Sequence, residues 1–170
     1  MHLSIAGGLP KSLDRAHALG CQALQIFVQN PRGWRWRPVP QIEIDGFLEK
    51  RRTHEINVVV AHLSYLPNLA AADEQLYYRS WERLRQELLL GKSLGLDYVI
   101  CHPGHAGQTQ DGLARVAAGL HHLVSDLPPL PQILLENTSG QKNELGQSIS
   151  ELHDIISLSQ VPVGLCLDTA

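Results

Sequence analysis

A chain of 170 residues with 44% hydrophobic and 18% charged residues has enough apolar side chains to form one domain with a substantial core. We expect neither a secretory leader nor a membrane-spanning helix, because no basic stretch with an apolar core opens the chain and no apolar run approaches roughly 20 residues. The net charge of −3, from 14 Lys and Arg against 17 Asp and Glu, lacks the basic excess of a general nucleic-acid binder.

Short apolar runs alternate with longer helical stretches along the chain, beginning with an apolar run at the amino terminus. The predicted strands are residues 2–5, 23–28, 58–61, 98–101, 133–135 and 163–167. The predicted helices are residues 9–19, 43–53, 74–93, 112–123 and 148–158. The apolar runs are continuous rather than alternating, as expected for parallel strands buried on both faces. A proline-rich stretch at 128–131 predicts a short connection, and we expect residues 1–170 to form a single domain.

The third predicted helix has the clearest periodicity. Its large apolar residues recur at intervals of 4, 3 and 4, which places them on one face: Tyr77, Trp81, Leu84 and Leu88. A binding stripe is one interpretation of the two aromatic residues, but their helical spacing is typical of core residues.

Repeated strand–helix units predict an α/β protein with a parallel sheet. Two arrangements compete, a doubly wound open sheet and a parallel (β/α) TIM barrel. Gly7 and Gly8 precede the first helix, but the G-x-G-x-x-G fingerprint is missing, so the pair is a weak indication of phosphate binding. A complete TIM barrel has eight strands and about 250 residues, so six predicted strands and five predicted helices indicate an incomplete barrel.

Four of the six predicted strands lead directly into a residue that can ligate a metal. These residues are His62, His102, Glu136 and Asp168, at intervals of 40, 34 and 32 residues. Each interval is about one strand–helix unit, and the carboxyl ends of all strands in a parallel barrel converge on one face. A single histidine after a strand is usually a surface residue, and Asp168 is the one most open to the alternative of a helix cap. Together the four predict a shared site suited to zinc, with manganese or iron as alternatives.

The sequence gives little support for a serine or cysteine nucleophile. Gly-x-Ser-x-Gly is absent, so water activated by a metal is the expected nucleophile. Cys21, Cys101 and Cys166 are far apart and odd in number, which favours free thiols and a cytoplasmic, reducing compartment. His105, three residues after His102, has two interpretations, as support for a metal ligand or as an ordinary loop residue.

At this point the chain resembles the endonuclease IV family, the zinc-dependent apurinic/apyrimidinic endonucleases with a TIM-barrel fold. The matching blocks are HLSIAGG at 2–8, NPRGW at 30–34, HLSYLPNL at 62–69, LGL at 94–96, HPG at 102–104, ENTSGQ at 136–141 and GLCLDT at 164–169. Their order and spacing are preserved over essentially the whole chain. The resemblance implies hydrolysis of the phosphodiester on the 5′ side of abasic sites in double-stranded DNA, as a step of DNA repair.

The family's site of three zinc ions is implied only in part. By resemblance, His62 and His102 hold one zinc, Glu136 bridges two and lies beside the attacking hydroxide, and Asp168 ligates the second. The family's next histidine falls beyond the last residue of the chain, and the ligands from later strands are absent. Ligands for only one or two zinc ions are therefore expected. An incomplete barrel exposes two sheet edges, which predicts self-association.

The resemblance also implies contacts with DNA. Tyr65 and Leu66 match residues that wedge into the duplex where the abasic nucleotide is flipped out, and Arg32 matches a minor-groove contact. Without the family, packing beside His62 is the simpler interpretation of Tyr65. The arginines near Arg32 are interleaved with two tryptophans, as in a local DNA-binding patch or in a solvated loop anchored by its aromatic residues.

Two other functions compete with the endonuclease. One is a sugar isomerase or epimerase of the xylose-isomerase-like barrels, which also place histidines and carboxylates at strand ends. The features that argue against this alternative, because they have no obvious role with a sugar, are Arg32, Trp34 and the 62–69 block. The other is an inactive truncated remnant that binds one zinc weakly or dimerises to close its barrel. Activity on abasic DNA or on ketoses, molecular size and metal content distinguish the three.

Overall fold

The computed structural model describes residues 1–125 and 131–169. Its centre is a parallel sheet of five strands, which are β1 (Ala23–Ile26), β2 (Val58–His62), β3 (Tyr98–Cys101), β4 (Gln132–Glu136) and β5 (Gly164–Cys166). Each strand pairs in parallel with the next strand in the sequence, giving the order β1-β2-β3-β4-β5. A doubly wound sheet reverses direction at a switch point, whereas a barrel does not. The predicted TIM-barrel arrangement is confirmed, and the sheet of the described residues does not close.

Helices connect the strands. They are α1 (Leu9–Ala18), α2 (Gln41–Thr53), α3 (Glu74–Ser93), α4 (Thr109–Ser125) and α5 (Ile149–Ser159), with a short 3₁₀ helix at Gln141–Asn143. The predicted bounds of α3 are confirmed at both ends. Its first turn begins at Asp73, whose carboxylate accepts a hydrogen bond of 2.7 Å from the Leu76 amide. Helix α5 begins in the same way at Ser148, whose hydroxyl accepts from the Glu151 amide at 3.2 Å.

The core lies between the sheet and these helices. Val59, Val99 and Leu135 of the strands are completely buried, as are Leu84 and Leu88 of α3. The predicted core face of α3 is thereby confirmed, with Trp81 8% exposed and Tyr77 half-buried. Completely burying one such aliphatic side chain stabilises the fold by about 1.5–3 kcal/mol, so the continuously apolar strands bring the sheet and the helices together.

The first predicted strand, residues 2–5, is wrong as a strand. Only His2 makes a β-bridge, a parallel one to Gln25, flanked by backbone hydrogen bonds of 2.8 Å on either side. The chain then turns, with Gly8 donating to the Ile5 carbonyl oxygen at 2.9 Å and Gly7 at a φ of 86°. The turn ends the pairing before a ladder develops, because a positive φ leaves the extended conformation. The described sheet therefore has five strands rather than six.

Smaller differences concern the ends of elements. Helices α2 and α4 begin at Gln41 and Thr109, two and three residues earlier than predicted, and β1 ends at Ile26. Of the predicted connection at 128–131, residues 128–130 lie outside the described residues. All three cysteines are free, with Cys101 buried. No helix in the described part of the chain combines the length and apolar character needed to cross a bilayer.

Candidate metal centre

Three of the predicted ligands meet at the carboxyl ends of neighbouring strands. His62 ends β2, His102 follows β3, and Glu136 ends β4. The Nε2 atoms of His62 and His102 lie 3.0 and 3.3 Å from the same carboxylate oxygen, Oε2 of Glu136. One ligand atom from each residue lies within 4.8 Å of the other two. The strand register explains the meeting, because Cys101 pairs with Leu135 and the next residue of each strand is a ligand.

The hydrogen bonds of His62 indicate that a cation belongs in this cluster. Nδ1 of His62 lies 2.7 Å from the carbonyl oxygen of Leu63, which only accepts, so Nδ1 carries the hydrogen. In a neutral ring, Nε2 then presents its lone pair to Oε2 of Glu136, which is also an acceptor. Two acceptors 3.0 Å apart require a proton or a metal ion between them. Ligand atoms about 2.0–2.1 Å from a tetrahedral zinc are themselves about 3.3 Å apart, so these donors fit such an ion.

The electrostatics keep two of the ligands ready for a cation. Burial raises the pKa of Glu136, but the hydrogen bond from His62 and the charge of His102 outweigh it, so the pKa is lowered and the carboxylate is charged. Burial and the neighbouring His62 lower the pKa of His102, which favours its neutral, metal-binding form. For His62, burial lowers the pKa. The hydrogen bonds to Glu136 and to the Leu63 carbonyl oxygen raise the pKa by more than burial lowers it, so the net change is an increase.

Asp168 lies at the same mouth but outside the three-residue ligand cluster. It lines a cavity of about 490 Å³ together with His62 and His102. Its backbone is fixed by Asn137, whose amide side chain accepts from the Asp168 N–H at 2.7 Å and donates to its carbonyl oxygen at 2.9 Å.

The three predicted DNA-contacting residues lie on loops beside the cavity. Tyr65, on its wall, is 62% exposed, and its ring packs edge-on against Phe27 with centroids 5.1 Å apart. Leu66 is 38% exposed. Arg32 is exposed, and its amide donates to the side chain of Asn30 at 3.0 Å. An exposed aromatic and an exposed leucine beside a polar cavity are available to a partner.

The structure shows how the arginine-rich segment after Arg32 is held. Its arginines are exposed, whereas Trp34 and Trp36 are half-buried. The guanidinium of Arg79 lies 4.2 Å from the ring centroid of Trp34, and that of Arg83 lies 5.4 Å from the ring centroid of Trp36. The tryptophans therefore anchor the loop to α3, Arg35 is exposed to solvent, and Arg37 forms an ion pair of 3.0 Å with Glu43 of α2.

Two groups of residues near the site were missed in the sequence analysis. Asn68 is buried and holds the loop after His102, because its side chain accepts from the His105 amide at 3.0 Å and donates to the His105 carbonyl oxygen at 3.0 Å. Behind Ser64, Arg83 and Glu87 form a buried ion pair. The only sequence signal for this pair is its i, i+4 spacing beside the apolar stripe of α3, which an exposed pair also shows.

Comparison with known proteins first defines the family to which the chain belongs. Residues 13–170 match the model of a family described as xylose isomerase-like TIM barrel, and the chain belongs to this family. Within it, the predicted resemblance to endonuclease IV is confirmed. The chain is 38% identical over 172 residues to the probable endonuclease 4 of Halothermothrix orenii and 38% identical to that of Carboxydothermus hydrogenoformans. These matches cover 99% of this chain but only 62% and 60% of the relatives.

Comparison with solved structures agrees with the sequence comparison. The crystal structure of endonuclease IV from Thermus thermophilus superposes with a TM-score of 0.87 at 34% identity, covering 99% of this chain and 61% of that one. A D-tagatose 3-epimerase-like protein superposes with a TM-score of 0.74 at 19% identity, covering 98% and 64%. The second likeness reflects the shared fold alone.

Proposed function

We propose that this protein acts as a zinc-dependent apurinic/apyrimidinic endonuclease, which hydrolyses the phosphodiester on the 5′ side of an abasic site in double-stranded DNA. The observation that carries the proposal is the convergence of His62, His102 and Glu136 on one point at the carboxyl ends of three neighbouring strands. Membership of the family and the similarity to endonuclease IV support it.

In this proposal His62, His102 and Glu136 would hold a zinc ion, which would supply a Lewis acid for a phosphoryl oxygen and a water activated at neutral pH. Two imidazoles and a carboxylate are a ligand set that catalytic zinc sites use. Leu63 fixes the His62 ring by accepting from its Nδ1. Glu136 and, on the same cavity, Asp168 are the residues that would hold a second ion.

The loop residues supply DNA recognition. Tyr65 and Leu66 are proposed to enter the duplex beside the lesion, since an exposed apolar wedge compensates for lost base stacking. A nucleotide without a base loses less stacking on extrusion, which favours the abasic site over intact DNA. Arg32 is proposed to contact the minor groove. A local patch of this kind provides the cationic surface that a net charge of −3 does not.

The chain spans about 60% of the length of these relatives. The exposed side chains of Leu165 and Leu167 lie at and beyond β5, the last strand of the sheet. A second copy that pairs along this edge is proposed as one way to cover it.

The test combines zinc content with cleavage. The purified chain is loaded with zinc, its metal is quantified by mass spectrometry, and it is incubated with a duplex carrying one abasic site. Glu136→Gln keeps the size of the side chain and removes its charge, and Glu82→Gln on the exposed face of α3 is the matched control. Cleavage 5′ to the lesion by the parent and by Glu82→Gln, with loss in Glu136→Gln, supports the proposal.

Other results of these assays would support one of the two competing functions instead. Epimerisation of a ketose without cleavage of DNA would assign the chain to the sugar-converting branch of the fold. Absence of both activities, with at most one weakly bound zinc per chain, would indicate an inactive remnant. Sedimentation measures whether two copies associate under the same conditions, and a monomer at every concentration contradicts pairing along β5.

A further inference from the structure

Two neighbouring loops follow successive strands, and the second of them lines the cavity. The arginine loop, residues 30–37, follows β1, and the wedge loop, residues 63–67, follows β2. They are joined directly by one backbone hydrogen bond, in which the Tyr65 amide donates to the Pro31 carbonyl oxygen at 3.0 Å. One bond is a weak constraint on the spacing of two loops, so a contact that reaches both loops adds a second constraint.

Arg83 of α3 provides that second connection. Its Nη2 donates to the Gly33 carbonyl oxygen of the arginine loop at 2.6 Å. Its Nε donates to the Ser64 hydroxyl of the wedge loop at 3.2 Å. The planar guanidinium fixes the angle between these two donors, which a lysine ammonium cannot do. The same group lies over the ring of Trp36, so the far end of the arginine loop is held as well.

Glu87 holds Arg83 in place. Its Oε1 lies 3.2 Å from Nε of Arg83 and accepts from the Ser64 hydroxyl at 3.2 Å. Arg83 is 3% exposed and Glu87 is 1% exposed. The other carboxylate oxygen, Oε2, is buried and has no hydrogen-bond partner within residues 1–125 and 131–169.

A buried, incompletely paired ion pair is a poor way to stabilise a helix. Apolar residues of similar volume usually serve stability equally well or better at such positions. The pair instead has a geometric consequence, because the guanidinium reaches two loops at once through different nitrogen atoms. Arg83 bonds to Gly33, Ser64 and Glu87, none of which is a proposed metal ligand.

We propose that Arg83, oriented by Glu87, is a positioning residue that holds the arginine loop and the wedge loop at one fixed spacing, so that both can engage the same duplex. The inference rests on the proposed function for the identity of the ligand. Its structural half, the locking of two loops by a buried arginine, does not depend on DNA. Without Arg83 the remaining direct bond between the two loops is Tyr65–Pro31, while Arg79 still holds the arginine loop to α3; the free energy of DNA binding is then reduced by the cost of ordering the two loops relative to each other.

The test separates positioning from stability. Arg83→Met alone leaves Glu87 buried without a cation and risks unfolding. The decisive variant is therefore Arg83→Met combined with Glu87→Leu, which removes both buried charges and restores an apolar contact. Arg85→Met is the matched control, because Arg85 lies on the same helix with its side chain 47% exposed. Arg83→Lys in the parent keeps the charge beside Glu87 but offers one nitrogen where the guanidinium offers two.

Loop release is measured without DNA. Brief trypsin treatment of the native chain, followed by mass spectrometry, reports cleavage after Arg32 and Arg35, which lie in the arginine loop. In the double variant we expect this cleavage to become about tenfold faster while the urea midpoint stays near that of the parent. Arg85→Met should be cleaved at the parental rate. Arg83→Lys should fall between the parent and the double variant.

Abasic-duplex binding is then measured by fluorescence anisotropy on zinc-loaded protein. We expect the double variant to bind the duplex about tenfold more weakly, with zinc content unchanged. Parental protection of the arginine loop, or parental DNA affinity, in a stable double variant overturns the inference. A parent that binds no abasic duplex overturns the proposed function and the DNA role of Arg83 with it, and the trypsin result then reports on the loops alone.

Discussion

Replacement of Glu87 by glutamine tests whether its buried carboxyl controls the pH dependence of stability. Burial raises the pKa of Glu87 from 4.5 to about 7, although Arg83 and Ser64 act in the opposite direction. Because the pKa is higher in the folded than in the unfolded chain, the folded chain retains the proton between these values. The contribution to stability is complete below pH 4.5 and is lost as the pH rises through about 7.

The size of this effect follows from the same values. One pH unit corresponds to about 1.4 kcal/mol, so an increase from 4.5 to about 7 amounts to about 3 kcal/mol in the free energy of unfolding. Glutamine cannot ionise, and its variant should lack this component. The difference in unfolding free energy between the parent and Glu87→Gln should therefore change by about 3 kcal/mol between pH 4.5 and pH 8, in favour of the variant at high pH.

Urea denaturation followed by tryptophan fluorescence measures this difference at each pH, with linear extrapolation to water. Glu82→Gln, on the exposed face of α3, is the control for the change of a charge on the same helix. Its profile should run parallel to that of the parent. Parallel profiles for the parent and Glu87→Gln would refute the reasoning, because they would mean that Glu87 keeps an ordinary pKa in the folded chain.

Two glycines give further tests by the same denaturation assay. A Cβ on Gly119 would overlap the indole ring of Trp81 where α4 meets α3, so Gly119→Ala should destabilise the fold by about 1–3 kcal/mol despite the higher helix propensity of alanine. Gly104 has a φ of 100°, and a Cβ there would overlap Oδ1 of Asn68, so Gly104→Ala should cost about 1–3 kcal/mol. Because Gly104 lies two residues after His102, this variant should also bind zinc more weakly in a competition titration. Gly107→Ala, which meets nothing within 4 Å, should stay within about 0.5 kcal/mol of the parent. A parental free energy of unfolding for either of the first two variants contradicts the packing argument.

Local patterns predicted most of the fold. Continuous apolar runs identified β2 to β5, and the 4-3-4 spacing that begins at Tyr77 and Trp81 identified α3 and its buried face. The run at residues 2–5 misled, because an apolar composition does not reveal that a turn at Gly7 ends the pairing after one bridge. A strand forms only where a neighbouring strand can pair with it over several residues, and amino-acid composition does not specify that pairing.

The candidate metal centre was predicted to the level of its residues. His62, His102 and Glu136 could be placed together because parallel strands end on one face. Asp168 belongs to the same mouth but not to the three-residue ligand cluster. Its strand ends two residues earlier, at Cys166, and that offset is set by the register of β4 with β5.

The amino-acid sequence alone thus specified the parallel α/β architecture and the donors at the strand ends, since apolar periodicity and strand spacing are local properties. Only the tertiary structure determined which side chains from distant parts of the sequence lie in contact with one another. They brought Arg83 and Glu87 of α3 into contact with Ser64 and left the carboxylate buried. An i, i+4 pair has the same sequence pattern at the surface and in the core, and only packing determines whether it is solvated or joins two loops.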